Sequence, residues 1–149
     1  MDLQLRGKTA LVTGASMGIG KGIARALALE GVDVAICARR KDGLEAAAEE
    51  IRRESGRKVL AIPADLTKRE DAANFVESAA RQLGRIDILV NNAGSAPGGV
   101  LEALDEDAWI GGLQLKFMGY VRCLRATLPI MRTQGGGRVL NLIGNDGVK

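Results

Sequence analysis

The sequence Thr13–Gly20, TGASMGIG, directly follows the apolar run Thr9–Val12, TALV. Apolar residues then recur at helical spacing as far as Leu27, so the pattern predicts a strand, a tight turn and a helix. The first glycine permits the turn, and the next two lack the Cβ atoms that would keep a phosphate away from the backbone. Unpaired N–H groups at the start of such a helix favour negative charge. The stretch therefore predicts a phosphate-binding turn, with a plain turn between two core elements as the alternative.

The composition is that of an ordinary globular protein. The chain has 149 residues, of which 46% are hydrophobic and 26% charged, so we expect one domain over residues 1–149 with a sizeable core. The net charge of +3 is spread along the sequence and aromatic residues make up only 3%, which argues against a nucleic-acid partner. No apolar run approaches membrane-spanning length, and the N-terminus lacks signal-peptide character, so we expect a cytoplasmic protein.

Histidine and cysteine usage narrows the possible chemistry. The sequence contains no histidine, which excludes His-based catalytic triads and His-ligated metal sites within it. Cys37 and Cys123 have apolar neighbours and no CxxC spacing, so we predict buried thiols in a reducing compartment. We therefore expect no metal site.

Apolar runs and stretches of helical periodicity alternate along the chain. Strands that are apolar on both faces and joined through helices form a parallel sheet with right-handed crossovers. The pattern therefore predicts a doubly wound, Rossmann-like α/β fold with three layers, α/β/α. Thr67 and Glu70 have the spacing of a capping box, which we expect at the start of the third helix. The predicted strands are residues 9–12, 32–38, 58–63, 87–91 and 138–143.

Two further motifs stand where predicted strands end. Asp65-Leu66 follows the third strand, and Asn91-Asn92-Ala93-Gly94 follows the fourth. Together with the TGxxxGxG pattern of Thr13–Gly20, they resemble the short-chain dehydrogenase/reductase family in order and approximate spacing, over essentially the whole chain. Because ligands bind at the carboxyl ends of the strands in such sheets, we expect the three motifs to lie together.

The resemblance implies a dinucleotide site at that edge of the sheet. Asp65 and Leu66 would contact the adenine ring. Asn91, Ala93 and Gly94 would lie on the ribose and nicotinamide side, although Asn91 has the alternative role of tying neighbouring strands together. The glycine-rich turn would line the pyrophosphate and the adenosine through Gly14, Ser16, Met17, Gly18, Ile19 and Gly20.

The end of the second strand favours NADP over NAD. A carboxylate there would bind the ribose 2′-hydroxyl of NAD and repel a 2′-phosphate. The chain has Ala38 at this position, followed by Arg39 and Arg40, whose guanidinium groups can hold a phosphate through charge-assisted hydrogen bonds. In the alternative, Arg39 packs on the adenine face and Arg40 is simply solvated. Met17 departs from the pattern, because many NADP-preferring members carry a basic residue there.

The family's catalytic tyrosine and lysine, spaced as YxxxK, have no counterpart in this sequence. The only tyrosine is Tyr120, which has Leu124 four residues later and lies on an apolar helical stripe, so we expect it in the core or in an interface. Family members run to about 250 residues, whereas this chain ends just after the fifth predicted strand. The resemblance therefore implies a C-terminally truncated chain.

Two catalytic positions that fall within the chain also depart from the family. Lys116 stands where the family has the asparagine of its proton relay, and Gly144 stands at the place of the catalytic serine. Asn145, or a backbone N–H group, would then have to bind the substrate oxygen. Lys116 would either supply a positive charge near the nicotinamide or extend into water.

These features predict the cofactor-binding portion of an NADP(H)-dependent short-chain oxidoreductase, inactive on its own. The parent enzyme would transfer hydride between nicotinamide and a carbonyl or alcohol substrate. The alternative is a family member that binds nucleotide without turnover, as a sensor or a partner-binding subunit. We also expect a homo-oligomer, because the fifth strand, Arg138–Ile143, would present an unpaired edge and bare apolar faces.

Overall fold

Strands and helices alternate along the described part of the chain, residues 2–95 and 98–144 of a computed structural model. The five predicted strands are present and are joined through helices, and every strand except the first is shorter than predicted. The elements are β1 (Thr9–Thr13), α1 (Gly18–Leu29), β2 (Asp33–Cys37), α2 (Lys41–Ser55), β3 (Val59–Ala61), α3 (Arg69–Leu83), β4 (Ile88–Asn91), a short 3-10 helix (Leu101–Ala103), α4 (Glu106–Thr133) and β5 (Arg138–Asn141).

The strands form one parallel sheet in the order β3-β2-β1-β4-β5. β1 is central, since Ala10 pairs with Val34 of β2 on one side and with Ile88 of β4 on the other. The chain moves outward from β1 to β3 and then returns to the opposite side of β1 to form β4. This reversal leaves a crevice outside the carboxyl ends of the strands. The predicted doubly wound α/β fold is confirmed.

Helices cover both faces of the sheet. Ala24 of α1 and Leu44 of α2 belong to one buried cluster with Val12 of β1. Phe75 of α3 belongs to the opposite cluster with Leu11. Leu11 and Val12 enter different clusters because successive side chains of a strand point to opposite faces. Burial on both faces explains why the strands are almost continuously apolar.

The turn between β1 and α1 lies very close to the end of β4. A Cβ atom on Gly14 would lie 2.7 Å from the Cα of Ala93, and a Cβ atom on Gly20 would overlap the Nδ2 of Asn92. Only glycine therefore fits at these two positions. Gly18 differs, because a Cβ there would meet open space and glycine is favoured by the left-handed φ of +58°.

The predicted capping box at the start of α3 is wrong. The helix begins at Arg69 with Lys68 as its N-cap, and no side chain of the described residues caps it. The Thr67 hydroxyl instead donates to the Oδ1 of Asp65 at 2.7 Å, and the Thr67 N–H donates to the same oxygen at 3.1 Å. An aspartate two residues before Thr67 thus closes the turn locally, and this interaction replaces the cap.

Alanine substitutions at two glycines of α1 test the close approach of the turn to β4. Gly20→Ala is expected to destabilise the fold by about 1–3 kcal/mol, as overpacking does, because its Cβ overlaps Asn92. Gly22→Ala meets open space on the same helix and is expected to stabilise the fold by about 0.5–1 kcal/mol. Urea unfolding followed by circular dichroism measures both changes. Equal effects of the two substitutions would contradict the packing described for Gly20.

Candidate cofactor-binding site

A cavity of about 760 Å³ opens at the carboxyl ends of the strands, in the crevice where the strand order reverses. Residues that follow β1, β2, β3 and β4 line it together with Leu115 of α4, so the three predicted motifs meet at one edge of the sheet. Four of the residues predicted to bind cofactor, Gly18, Gly20, Asp65 and Asn91, are not part of the lining. Those that line it are Gly14, Ser16, Met17, Ile19, Arg39, Arg40, Leu66, Ala93 and Gly94.

Helix α1 begins at the rim of this cavity. Its N-cap is Met17 and its first residue is Gly18, and the lining side chains of Met17 and Ile19 are 65% and 69% exposed. Within the described residues, no side chain caps this helix and no acidic residue stands in its first turn. The first N–H groups and the positive end of the helix dipole are therefore free to interact with an anion.

Thr13 and Asn92 fix the glycine-rich turn to the end of β4. The Thr13 Oγ1 accepts hydrogen bonds from the N–H of Asn92 at 2.9 Å and the N–H of Ala93 at 3.0 Å. The Asn92 Nδ2 donates to the carbonyl oxygens of Thr13 at 3.0 Å and Gly14 at 3.1 Å. Sequence reasoning assigned no role to either side chain, although each belongs to a motif that it identified. Their bonds hold the floor of the cavity in place.

Asn91 joins two strands from a fully buried position. Its Nδ2 donates to the Oδ1 of Asn141 at 2.9 Å, across the β4–β5 pair. This geometry corresponds to the structural alternative considered for Asn91, and it fixes β5 beside β4. The neighbouring Ala93 and Gly94 are the residues of this motif that line the cavity on the predicted nicotinamide side.

Arg39 and Arg40 are exposed where β2 ends. Both line the cavity, and Arg40 is also the N-cap of α2. The ion pairs formed by the described residues include neither guanidinium group. Ala38, which precedes them, contributes no carboxylate. This corner of the cavity therefore carries positive charge that is not neutralised by a bonded partner.

Asp65 and Leu66 have different surroundings. Leu66 is buried and lines the cavity, whereas the Asp65 carboxylate accepts two hydrogen bonds from Thr67. The bond from the Thr67 hydroxyl is the largest cause that holds the pKa of Asp65 below its usual value, and the charges of Lys68 and Arg39 act in the same direction. Asp65 thus remains ionised and shapes the turn that presents Leu66 to the cavity.

Lys116 lies across the ends of β4 and β5 instead of extending into water. Its Nζ donates to the Tyr120 hydroxyl and to the Leu142 carbonyl, both at 2.6 Å, and the Tyr120 hydroxyl donates to the same carbonyl at 2.7 Å. Its aliphatic part occupies the space beside Gly94, where a Cβ atom would lie 2.5 Å from the Lys116 Cδ. Tyr120 is buried, as expected from the apolar stripe. The ammonium group is therefore held beside a residue that lines the cavity.

Gly144 stands at the predicted place of the catalytic serine and Asn145 follows it, but the structure describes only the first of the two. Gly144 lies just after β5, and a Cβ atom there would meet open space. Crowding therefore does not explain a glycine at this position. Asn145, predicted to bind the substrate oxygen, lies outside the described residues.

A second cavity, of about 610 Å³, lies between α1 and the β4–β5 side of the sheet. Ile23, Leu27 and Leu140 give it apolar walls, and none of the residues predicted to bind cofactor lines it. Its Arg85 and Asp87 already pair with each other through several hydrogen bonds. This second cavity therefore provides fewer groups that could bind a dinucleotide than the cavity at the strand reversal does.

The described residues hold no group of metal-ligating side chains that could bind an ion. None of their helices combines the length and apolar character that crossing a membrane requires. Cys37 and Cys123 are buried in one core cluster, and burial raises the pKa of both thiols, that of Cys123 to about 12. Both thiols are therefore protonated at neutral pH, and we assign them a packing role.

Comparison with known proteins agrees with the geometry of the site. A family model described as short chain dehydrogenase matches residues 8–149. A 3-oxoacyl-(acyl-carrier-protein) reductase of Staphylococcus epidermidis is 38% identical over 136 residues, which cover 91% of this chain and 55% of that protein. The structure of L-sorbose reductase from Gluconobacter frateurii, complexed with NADPH and L-sorbose, has a TM-score of 0.89 at 37% identity and covers 93% of this chain and 53% of that one.

A structure of NAD+-bound xylitol dehydrogenase is also similar, with a TM-score of 0.93 at 33% identity over 98% of this chain and 56% of that one. The chain thus spans a little more than half the length of these relatives. The family model, the identities and the shared fold agree with the three motifs at the carboxyl ends of the strands. The chain belongs to the short-chain dehydrogenase/reductase family.

Proposed function

We propose that the chain is the dinucleotide-binding portion of an NADP(H)-dependent short-chain oxidoreductase, acting on a carbonyl or alcohol substrate. The cavity at the strand reversal carries the proposal, because it unites an uncapped helix start, a basic corner and the end of β4 in one crevice. A bound dinucleotide would supply the hydride donor or acceptor. The residues of this chain would bind and orient it.

The cavity offers a suitable surface to each part of a dinucleotide. The N–H groups at the start of α1, with Ser16 before them, would bind the pyrophosphate. Leu66, which lines the cavity, would contact the adenine ring, on the same side as Arg39. Ala93 and Gly94 would lie along the ribose and the nicotinamide. The residues present therefore fit the group that the family implies.

The basic corner supports NADP over NAD. Among the relatives, one structure contains NADPH and another NAD+, so the family does not decide the preference. In this chain the two exposed guanidinium groups of Arg39 and Arg40 line the cavity, and the described ion pairs leave them available. They would bind a 2′-phosphate through charge-assisted hydrogen bonds.

Fluorescence titration with NADPH and NADH tests this proposal. We expect the protein to bind NADPH more tightly, and Arg39→Ala combined with Arg40→Ala to weaken NADPH binding by about tenfold or more while NADH binding changes little. Arg53→Ala, which removes an exposed guanidinium group at the far end of α2, is the control and should change neither affinity. Equal affinities of the wild-type protein for the two nucleotides would overturn the NADP preference. Binding of neither would overturn the site.

We also propose that Lys116 supplies positive charge at the nicotinamide end of the cavity. Its Nζ is anchored by Tyr120 and the Leu142 carbonyl, and its chain lies against Gly94. A fixed ammonium group favours the neutral reduced nicotinamide over the positively charged oxidised ring. The chain would in this way favour the reduced cofactor.

Substitution of Lys116 tests this electrostatic role. Lys116→Met should lower the preference for NADPH over NADP+ by about fivefold, which corresponds to about 1 kcal/mol of charge interaction. Calorimetric titration with NADPH and with NADP+ gives the ratio of the two dissociation constants directly. Arg125→Met, at an exposed position on the same helix, is the matched control. An unchanged ratio in Lys116→Met would contradict the role.

A nucleotide-binding protein without turnover is the second candidate function. Gly144 supports it, because glycine offers no hydroxyl at the position of the catalytic serine and nothing crowds that position. Residues C-terminal to Gly144 in the full-length protein distinguish the two functions. A tyrosine and a lysine four residues apart would support the oxidoreductase, and their absence would support the binding protein.

We propose, finally, that the chain associates with itself. Leu113 and Phe117 of α4 are 57% and 62% exposed, and Leu140 of the edge strand β5 is 49% exposed. Exposed apolar side chains on one helix mark an interaction surface. The free main-chain groups of β5 favour a second copy as the partner, because an edge strand can pair with its equivalent.

Sedimentation velocity tests self-association. The protein should sediment as a species larger than one chain, and Phe117→Glu should shift it toward the monomer. Leu29→Glu places the same charge on an exposed apolar position of α1 and serves as the control. A wild-type monomer at high concentration would contradict the proposal.

A further inference from the structure

Helix α4 packs directly on the segment that forms the adenine side of the cavity. A Cβ atom on Gly119 would lie 3.5 Å from the Leu66 Cβ and 3.7 Å from the Leu66 carbonyl oxygen, so the space between the helix backbone and this residue is only about the size of a methyl group. Both residues are buried, and Leu66 is only 3% exposed. The position of Leu66 therefore depends on α4, which is distant from it in sequence.

Arg122 of α4 fixes Leu66 through its backbone. Its Nη1 donates to the Leu66 carbonyl at 3.0 Å and to the Gln114 carbonyl at 3.0 Å, and its Nη2 donates to the Gln114 Oε1 at 2.7 Å. The partly buried guanidinium group therefore directs its donors to neutral oxygens. The ion pairs of the described residues do not include it. The two hydrogen bonds to Gln114 orient this planar group, and its Nη1 also binds the Leu66 carbonyl.

The segment that contains Leu66 is held on its other side by β2 and α3. The Ala64 N–H donates to the Ala38 carbonyl at 3.0 Å, directly before Arg39. The Asp65 N–H donates to the Asp71 Oδ2 at 2.8 Å. Arg122 therefore supplies the α4 side of a clamp around three residues, and the side chain of the last one, Leu66, lines the cavity.

We propose that Arg122 is a positioning residue for the adenine end of the dinucleotide, acting through the backbone of Leu66. This inference rests on the proposed function. Arg122 does not line the cavity and needs no contact with the ligand. Its hydrogen bond to the Leu66 carbonyl, oriented by the two bonds to Gln114, fixes the surface against which the base would lie. Removing the guanidinium group therefore loosens that surface, while the phosphate-binding turn, held by Thr13 and Asn92, keeps its geometry.

Titration with NADPH and with 2′,5′-ADP, which carries only the adenine end, tests the inference. Arg122→Met should weaken the binding of both ligands by the same factor, about tenfold, because charge-assisted hydrogen bonds are lost at one site. Arg125→Met on the exposed face of α4 should leave both affinities unchanged. A loss of affinity for NADPH without a loss of affinity for 2′,5′-ADP would overturn the inference. Unchanged affinity for both ligands would overturn it as well.

A double-mutant cycle with Leu66→Ala separates positioning from a general effect on stability. If Arg122 acts through Leu66, Arg122→Met should cost little further affinity once Leu66 is alanine. Losses of affinity that simply add in the double mutant would overturn the inference.

Arg122→Lys is the second variant if circular dichroism shows that Arg122→Met does not fold. Lysine keeps the positive charge but has fewer hydrogen-bond donors, so Arg122→Lys should lose less affinity for both ligands than the tenfold expected of Arg122→Met. Unchanged affinities in Arg122→Lys would then overturn the inference. Wild-type protein that binds neither ligand would instead overturn the proposed function itself.

Discussion

The close approach of the β1–α1 turn to the end of β4 is the constraint on which the candidate site depends. The turn and the start of α1 can lie this close to the end of β4 only because they carry no Cβ atom in the gap, and Gly14 and Gly20 meet that condition. Thr13 and Asn92 then satisfy the polar groups that the contact buries. With turn and strand locked together, the first N–H groups of α1 are held at the rim of the cavity.

The positive charges around the cavity fall into two kinds. Arg39 and Arg40 are exposed and available to a ligand, whereas Lys116 and Arg122 are anchored on carbonyl oxygens of Leu142 and other main-chain groups. Lys116 binds the segment that follows β5, and Arg122 binds the segment that contains Leu66. The chain's net charge of only +3 hides this concentration of cations at one edge of the sheet. The positions of these cationic side chains therefore matter more to the site than the net charge of the chain does.

The fold was predictable because its strongest signals are local. Apolar runs separated by helical periodicity require a buried parallel sheet, and TGxxxGxG at the end of β1 marks the strand reversal. Nine of the residues predicted to bind cofactor line the cavity at one edge of the sheet. It failed at Thr67, because Asp65 competes for the hydroxyl that a capping box would use. That competition depends on a turn geometry that spacing alone does not reveal.

The structural roles of individual residues were harder to predict than their places in the fold. Gly20 was expected to let a phosphate approach the backbone, yet a Cβ atom there would overlap Asn92 of the protein itself. Arg122 gave no signal, since a charged residue on a predicted helix is typically solvated. Its inward bonds arise from the contact between α4 and Leu66, which are brought together only by the folded chain. Long-range packing thus decided what local patterns could not.

Amide NMR shifts during titration with NADPH test the central claim most directly, because they report where on the fold the nucleotide binds. We predict the largest shifts at the start of α1, at Arg39, at Leu66 and at Gly94, all around the cavity at the strand reversal. Shifts concentrated instead on Leu27 and Leu140, which line the cavity between α1 and β5, would contradict binding at the strand reversal.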